Sequence, residues 1–572
     1  MVVLDAEQEW YRFHHLFRDL LQKEFKKRFA PAKQIALHEK AAHWFGENGR
    51  VEEALFHAKK AGKPDWAAML VAKQFHRVLA QDQDHLLENW LSQLPEKSIQ
   101  KQPLLQIARM WVLKDREAFH LLPKMVETLE QTHPNANEEL LAHLHFFRGI
   151  LLFWGGSLSL AAENLKKTLA KLPLPQYAGI LGEARVYYVT TMQMLGRGNE
   201  MDTDLENRLL SHNLPTNYRL KLFGAFIFRH LLAGHLERTI YYASKIKQHG
   251  ENPFLTAWGD YIQGTTYLRQ NRFEEATHAL EKSLARRYMM DLVAPVDGFS
   301  AQLLALHAQG KEEAFQATLQ TFREFVRESN RPHFHSWFFS IQTRLALRED
   351  NLPQAEQYFQ QVELSDDTQN FLFWVEDPRI TYCRLLLAQN TVQSLEKAAK
   401  WLSSYLKKAT NHHLILLTTE IRILLAILEN KQNHPKAAVN HLEKAIQLAN
   451  PGGSLYLFTE VASDIKTLLP KINPTLQTLE LFHNLNQQIH SSLGRSRLPH
   501  VNEKLTNREM DVLVLMEQRL TNQEIADKLS ISVATIKRHA ISIYRKLKAK
   551  NRREAVLKAI QEGILLLPSK NS

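Results

Sequence analysis

The sequence predicts an all-α protein built from helical repeats, and three observations support this prediction. Glycine and proline are scarce, at 21 and 20 of 572 residues, so few positions favour breaks between elements. Alternating patterns of β-branched residues are hard to find anywhere in the chain. Apolar residues instead recur three and four positions apart, as in Ala41, Trp44 and Phe45, which is the spacing of amphipathic helices packed on one another.

A repeated turn-and-alanine spacing organises most of the chain. A Gly, Asn or Asp is followed five positions later by an alanine in the pairs Gly49 and Ala54, Gly156 and Ala161, Asn271 and Ala276, Asp350 and Ala355, and Asn433 and Ala438. Gly234 with Thr239 and Gly310 with Ala314 follow the same pattern more loosely. Ala398 is the alanine of the unit expected between Ala355 and Ala438. The period of about 37 to 43 residues indicates two-helix units that stack into a superhelical solenoid.

These repeats resemble tetratricopeptide repeats, with a period longer than the usual ~34 residues. We expect the small alanine of each unit to lie where one helix crosses its neighbour closely. The alternative is a generic helical array in which the alanine spacing is a coincidence.

The repeats are predicted to end near Ala449, because Asn450-Pro451-Gly452-Gly453 is a strong helix breaker. One or two further helices follow, and the polar stretch from Ser491 to Pro499 is typical of a flexible linker. We predict four segments along the chain. Residues 1–40 are an N-terminal segment left over from a larger domain, and residues 41–450 hold the repeats. Residues 451–503 hold the terminal helices and the linker, and residues 504–572 form a separate domain.

The C-terminal segment is strongly basic. Residues 501–572 hold 14 Lys and Arg against 8 Asp and Glu, a net charge of +6 out of +11 for the whole chain. Eight basic residues and no acidic residue lie between Ser530 and Arg553. A concentrated basic segment is the electrostatic feature expected for binding a polyanion such as double-stranded DNA.

Helix caps divide this segment into short helices. Thr506 precedes Glu509 by three positions, which is the spacing of a capping box, and Thr521 and Ser532 are further N-cap candidates. The predicted helices span residues 507–518, 523–529, 533–548 and 552–563. Two helices joined by a short turn, the second of them basic, form a helix-turn-helix that places the second helix in the major groove of DNA.

At these residues the sequence resembles the LuxR-type helix-turn-helix. The similarity lies in Leu505-Thr506-Asn507-Arg508-Glu509, in Asn522-Gln523-Glu524-Ile525-Ala526-Asp527-Lys528-Leu529, in Ile531-Ser532-Val533-Ala534-Thr535-Ile536-Lys537-Arg538-His539 and in Ile543-Tyr544-Arg545-Lys546-Leu547. The resemblance implies that Lys537, Arg538 and Ile541 meet base edges. It also implies phosphate contacts from Thr535, His539, Arg545 and Lys546, and a homodimer on DNA formed through the fourth helix, whose apolar face is Ala555, Val556, Ala559 and Ile560.

Three positions depart from the pattern of that family. Arg519 stands where glycine is usual in the turn, so we expect a reshaped turn there. Ala540 and Ser542 replace the usual Leu and Asn, which predicts weaker packing or a changed base preference. The alternative interpretation of the whole segment is a basic helical tail with a solvated charged face.

The N-terminal run Trp10-Tyr11-Arg12-Phe13-His14-His15-Leu16-Phe17-Arg18-Asp19-Leu20-Leu21 is also informative. His14 and His15 suggest a metal site, but neighbours on a helix point ~100° apart, so we expect structural roles and no bound metal. The run resembles the end of the winged-helix segment of large MalT-like LuxR-family regulators. No G-x-x-x-x-G-K-[ST] loop occurs, so we expect a chain without the ATPase domain of those regulators, by truncation, gene splitting or genuine variation.

Several classes of protein are excluded by what the sequence contains. Cys383 is the single cysteine, so an internal disulfide and a Cys-based metal site are excluded. The N-terminus is not a signal peptide, and the apolar stretch Leu414 to Leu428 is shorter than the ~20 residues that span a bilayer. We therefore expect a cytoplasmic protein that has no membrane contact, binds no cofactor and is not an enzyme.

The leading functional hypothesis is a sequence-specific bacterial transcription regulator. Its helical repeats would bind a small-molecule inducer or a protein partner. The alternative is a repeat scaffold for protein–protein contacts whose DNA-binding domain is vestigial. The operator, the inducer and the choice between activation and repression have no recognisable signature in the residues.

Overall fold

The fold is all-α, as predicted. The computed structural model describes residues 2–3, 11–12, 15–81, 83–116, 118–209, 214–248, 252–290, 293–329, 331–364, 373–493, 505–547, 549–561 and 564–565. Within these residues, the only β-structure is one short antiparallel pair, in which Val2–Val3 faces Tyr11–Arg12. No helix in the described ranges is long and apolar enough to cross a membrane.

Eleven helices make up the first part of the described chain. They are α1 (His15–Arg28), α2 (Pro31–Glu47), α3 (Val51–Lys60), α4 (Pro64–Ala80), α5 (Asp84–Ser92), α6 (Glu96–Gln100), α7 (Pro103–Asp115), α8 (Leu122–Thr132), α9 (Glu138–Trp154), α10 (Leu158–Lys171) and α11 (Ala178–Met194).

The described helices continue to the C-terminal domain. They are α12 (Asn199–Leu209), α13 (Thr216–Leu232), α14 (Leu236–Gln248), α15 (Pro253–Arg269), α16 (Phe273–Leu284), α17 (Ala294–Gln309), α18 (Glu312–Ser329), α19 (Pro332–Arg348), α20 (Leu352–Phe359), α21 (Pro378–Gln389), α22 (Val392–Asn411), α23 (Ile415–Lys431), α24 (Pro435–Ala449), α25 (Tyr456–Thr459), α26 (Ala462–Ile465), α27 (Leu479–Leu493), α28 (Asn507–Glu517), α29 (Asn522–Leu529), α30 (Val533–Lys546) and α31 (Arg552–Gln561). Short 3₁₀ helices lie at Phe119–Leu121, Arg287–Met289, Asn450–Gly452 and Leu469–Lys471.

The helices form two compact units. The first unit comprises residues 1–153, 160–185 and 212–219, and the second comprises residues 154–159, 186–211 and 220–572. Each unit has its own buried apolar side chains, such as Phe75 and Trp111 in the first and Phe299 and Phe338 in the second.

The five turn-and-alanine pairs have a common geometry. Every turn residue has a left-handed backbone, with φ of 73° at Gly49, 76° at Gly156, 61° at Asn271, 54° at Asp350 and 60° at Asn433. This conformation ends a helix at low cost in glycine and asparagine. The paired alanines are all fully buried, at 0% exposure, because only a small side chain lets two helices approach closely.

The predictions made from the looser matches to the pattern are partly wrong. Thr239 is buried as expected, but Ala314 is exposed and the buried side chain five residues after Gly310 is Phe315. Ala398 is buried, yet the left-handed turn of its unit is Asn390, eight residues earlier. The packing position five residues after the turn therefore holds a larger side chain in the unit of Gly310.

The breaker after the repeats ends α24 at Ala449, as predicted, but the chain then turns back against the repeats. The backbone NH of Leu455 donates to the carbonyl oxygen of Arg269 (2.9 Å). Gly452 lies so close to Gly234 that a Cβ at Gly452 would overlap the Gly234 carbonyl oxygen. We call residues 450–460 the return segment, and they pack against α14, α15 and α23 within the second unit.

Candidate DNA-binding surface

The C-terminal helices begin at side-chain caps, as the sequence predicts. At α28 the Thr506 NH donates to the Glu509 carboxylate (2.6 Å), and the Glu509 NH donates to the Thr506 hydroxyl (3.3 Å). Thr521 forms the same box with Glu524 at α29. At α30 the NH of Thr535 donates to the hydroxyl of Ser532 (3.1 Å). These bonds satisfy backbone NH groups that a helix start leaves without partners.

The four helices α28 to α31 enclose a separate apolar core. Its buried members are Leu505, Met510, Val512, Leu513, Leu515, Met516, Ile525, Ala526, Ile536, Ala540, Ile543, Leu547, Ala555, Ala559 and Leu565. The predicted departure at Ala540 is thus a core position. A core of this size orients α30 as a rigid element, because each helix contributes its inner face to it.

Four of the predicted site residues lie together on one face of α30. At ~100° per residue, Lys537, Arg538, Ile541 and Arg545 fall within one sector of the helix. All four are exposed, and Ile541 has 66% of its surface accessible. We call this sector the basic stripe. A single exposed isoleucine is ordinary on a protein surface, but here it lies among three exposed cations on one helix face.

The exposed Ala534 belongs to the same sector but was missed by sequence reasoning. It precedes Arg538 by four residues, so the helical period alone could have placed it on the stripe. Its methyl group offers the type of apolar contact that recognises a thymine methyl in DNA.

The other three predicted residues lie on a second sector, between the basic stripe and the core. Thr535 and His539 are half-buried, and the Thr535 hydroxyl lies 2.8 Å from the hydroxyl of Ser532. Lys546 is more enclosed. Its ammonium donates to the carboxylate of Glu509 (2.7 Å), and the side chains are only 12% and 5% exposed.

The Glu509 carboxylate joins the start of α28 to the end of α30. Burial by itself raises the pKa of Glu509, but hydrogen bonds from Lys546, Ser542 and the NH of Thr506 outweigh burial and lower the pKa to about 2. Glu509 therefore stays charged across the neutral range and holds the ammonium of Lys546. This bond gives Lys546 a structural role that its sequence position did not indicate.

The turn after α28 has a backbone conformation that glycine adopts readily. Arg519 has a left-handed φ of 62°, and the expected reshaping of the turn stays a prediction. A non-glycine residue in this conformation costs about 1 kcal/mol. The guanidinium of Arg552 stabilises the same turn by donating to the carbonyl oxygen of Met516 (3.0 Å) and to that of Leu520.

The predicted apolar face of the fourth helix points into the domain. Ala555 and Ala559 are fully buried in its core, and Val556 packs partly against it. The side chain of Ile560 lies outside the described residues. Among the described side chains of α31, Leu557 is a large apolar one that is exposed, at 48%.

The N-terminal histidines named in the sequence analysis fall at the edge of the described residues. His14 lies outside the described residues, and only the backbone of His15 is described. Within the described part of the chain, no group of three or more His, Cys, Asp or Glu residues is arranged to hold a metal ion.

Three family models match this chain. The MalT winged helix domain matches residues 1–33, the MalT-like TPR region matches residues 233–473, and the family of bacterial regulatory proteins of the luxR type matches residues 503–559. The chain therefore combines a MalT-like repeat region with a C-terminal LuxR-type domain. Its predicted resemblance to large MalT-like regulators is confirmed.

Curated relatives extend this similarity over nearly the whole chain. The HTH-type transcriptional regulator MalT of Vibrio parahaemolyticus is 22% identical over 99% of this chain, and the HTH-type transcriptional regulator AlkS of Pseudomonas putida is 20% identical over 98%. The chain spans 65% of the length of each. The serine/threonine-protein kinase PknK of Mycobacterium tuberculosis is 32% identical over 19% of this chain and 10% of its own length.

Proposed function

We propose that this chain is a sequence-specific, DNA-binding transcription regulator whose helical repeats sense a small molecule or a protein partner. The basic stripe of α30 is the observation that carries this proposal. It presents three cations and an exposed isoleucine on one face of a capped helix that follows a short turn. The match of residues 503–559 to the luxR family supports the same function.

The stripe is suited to reading the major groove. The groove edge of guanine offers two acceptors, to which the Lys537 ammonium and the Arg538 guanidinium can donate. Ile541 and Ala534 would contact a thymine methyl by van der Waals packing. Arg545, Thr535 and His539 would hold phosphate oxygens on either side, which fixes the position of the helix without reading sequence. Lys546 would contribute least, because Glu509 already occupies its ammonium.

A homodimer on paired half-sites would double this contact, with the exposed Leu557 of α31 at the interface. The repeats would mask the DNA-binding domain or hold protomers together, and an effector would shift that equilibrium. The cytoplasm, where DNA is accessible, is the compartment in which this function operates. We expect neither a cofactor nor catalysis in this role.

DNA binding measured against salt concentration tests the proposal. A random-library duplex selection is run with the whole chain and with residues 498–572, which hold the separate core. We expect selected sequences to bind tightly, with log Kd rising by about 0.9 per phosphate contact for each tenfold increase in salt. If only the short fragment binds, the repeats inhibit the DNA-binding domain. If neither binds, the chain is instead a repeat scaffold for protein partners.

A further inference from the structure

The composition of α30 limits the bases that it can recognise. Its 14 residues, Val533–Lys546, include no Asp, Glu, Asn or Gln. In the major groove, a carboxylate accepts a hydrogen bond from the amino group of cytosine, and an amide side chain pairs with both the donor and the acceptor of adenine. The helix therefore lacks the two kinds of side chain that recognise cytosine and adenine most directly.

The basic stripe and the adjoining Ala534 carry only hydrogen-bond donors and apolar groups. The ammonium of Lys537 and the guanidinium groups of Arg538 and Arg545 donate hydrogen bonds and cannot accept them. Ala534 and Ile541 end in methyl groups. Within the part of the chain that the structure describes, Lys537 and Arg538 form no ion pair and no side-chain hydrogen bond. Their donors are therefore available to the base edges of DNA.

The side chains of α30 that can accept a hydrogen bond lie beside the basic stripe. Thr535 and His539 are half-buried on the second sector, towards the core. The hydroxyl of Ser542 hydrogen-bonds to the carboxylate of Glu509, and Tyr544 packs against the apolar core. The helix face that would meet the base edges thus presents donors and methyl groups alone.

The positions of these groups along the helix determine the order of the bases that they can contact. An α-helix rises by 1.5 Å per residue, so Ala534 and Ile541 lie about 10 Å apart along the axis of α30. Consecutive bases of a strand are spaced by about 3.4 Å, and this distance corresponds to about three base-pair steps. Lys537 and Arg538 lie between the two apolar residues. The face therefore has a methyl contact towards each end and the cations in the middle.

We infer that α30 recognises only guanine and thymine, with guanine between two thymines in each half-site. Arg538 and Lys537 donate to the N7 and O6 acceptors of guanine, and Ala534 and Ile541 contact the 5-methyl groups of the thymines. An adenine or cytosine in contact with this face turns its amino group towards cations that cannot accept from it. The inference rests on the proposed function, because it names the class of DNA sequence that the same surface binds.

Single-atom changes in the DNA test this inference. The starting point is the site that the full chain selects from a random duplex library, or that residues 498–572 select if only this fragment binds. Each thymine of both strands is replaced in turn by deoxyuridine, which lacks the 5-methyl group, and each guanine by 7-deazaguanine, in which a C–H group replaces N7.

Two thymines of each half-site should be sensitive to the loss of their methyl group. We expect deoxyuridine at either of them to raise Kd about fourfold, which corresponds to the burial of one methyl group. At a guanine between them, 7-deazaguanine should raise Kd about fivefold or more, because the cations lose one of two acceptors. Thymines outside this short segment should tolerate deoxyuridine without a change in Kd.

Two changes at Ile541 assign one of these thymines to its side chain. In Ile541→Ala, deoxyuridine at that thymine should no longer raise Kd, while the other thymine keeps its effect. Ile541→Asn should change the preferred base there from thymine to adenine, because an amide pairs with adenine. Ile541 is exposed, so neither change should lower Tm. Val392→Ala shortens a 77% exposed side chain of the repeats, and this control should keep both effects.

The outcomes distinguish this inference from the proposed function. The inference is overturned if deoxyuridine has no effect at any thymine, or if Ile541→Ala leaves both effects in place. It is also overturned if Ile541→Asn keeps the preference for thymine. In each of these cases the selected site is still bound, and the proposed function stands. If neither the full chain nor the fragment selects a sequence, the proposed function fails and the inference fails with it.

Discussion

The helical repeats and the C-terminal domain differ in how often a side chain caps the start of a helix. The repeat helices α3, α16 and α24, which follow the left-handed turns at Gly49, Asn271 and Asn433, have no side-chain cap, although other repeat helices are capped by Asn252, Asn351, Asp377 and Thr391. In the C-terminal domain, Thr506, Thr521 and Ser532 cap three successive helices. The uncapped repeat helices therefore depend on packing against neighbouring helices, whereas these short C-terminal helices also have local stabilisation at their starts.

Buried charge extends the same comparison. In the repeats, the ion pairs of Arg344 and Arg384 with Glu460 connect α19 and α21 to the return segment across long stretches of chain. In the C-terminal domain, Glu509 and Lys546 connect two helices of one small core. Loss of a buried ion pair should therefore lower the free energy of unfolding more in the repeats than in the C-terminal domain.

Glu460→Gln should have the largest effect. It leaves Arg344 and Arg384 without their shared carboxylate, and breaking a buried pair in this way costs about 3–5 kcal/mol. Urea unfolding of the second unit, followed by tryptophan fluorescence, measures the loss. Glu275→Gln, which breaks the exposed pair with Arg272 in the same unit, is the control and should cost no more than about 0.5 kcal/mol.

Acid provides an independent check on Glu460. Burial alone raises the pKa of this carboxyl, but Arg344 and Arg384 outweigh burial and lower the pKa to about 2, from an ordinary value of 4.5. A lowered pKa stabilises the fold above the ordinary value, and this contribution is lost as pH falls from 4.5 towards 2. The difference between Glu460→Gln and the original chain should shrink over that range. An unchanged difference would contradict the assigned ion pairs.

Ala276→Leu tests the close helix crossing of the repeats. Ala276 is fully buried, and extra methylenes in a packed core cost about 1–3 kcal/mol. Ala314→Leu is the matched control, because Ala314 is exposed at a corresponding mark of the repeat pattern. Thermal unfolding monitored by circular dichroism should show a lower Tm for the first variant alone. An equal decrease in Tm in the two variants would contradict the assignment of Ala276, and not Ala314, to a close helix crossing.

Arg538→Ala and Lys546→Ala should separate DNA contact from domain stability. We expect Arg538→Ala to weaken binding to a selected DNA site by about 1–3 kcal/mol and to relax its specificity, with Tm unchanged. Lys546→Ala removes the partner of Glu509, so its main effect should be a lower Tm. The assignment of the two residues is wrong if Arg538→Ala lowers Tm and leaves DNA affinity intact.

Arg519→Gly should have the smallest effect, and it should stabilise the C-terminal domain. Glycine adopts the left-handed φ of this turn without the Cβ penalty, and part of that gain is offset by the greater freedom of glycine in the unfolded chain. We expect a gain of about 0.5–1 kcal/mol in urea unfolding of residues 498–572. Gln518→Gly, at the neighbouring position with a negative φ of −68°, should destabilise the domain instead.

Sequence alone predicted those features of the fold that depend on local interactions. Apolar spacing predicted the helices, the Gly, Asn and Asp residues predicted the turns between them, and Thr506, Thr521 and Ser532 predicted the caps of the C-terminal domain. Lys537, Arg538 and Ile541 of the basic stripe were indicated by the resemblance to the LuxR-type helix-turn-helix, and helical periodicity accounts for their common face. Each of these features depends on residues within a few positions of one another.

Only the tertiary structure decided how distant segments meet. The breaker at residues 450–453 predicted where α24 ends, but not that the chain returns to place Glu460 on Arg344, 116 residues away in sequence. The same holds for the enclosure of Lys546 by Glu509 and for the inward orientation of Ala555 and Ala559. Charge pairing and burial depend on distance in space, and local patterns carry no information about which remote groups share a core.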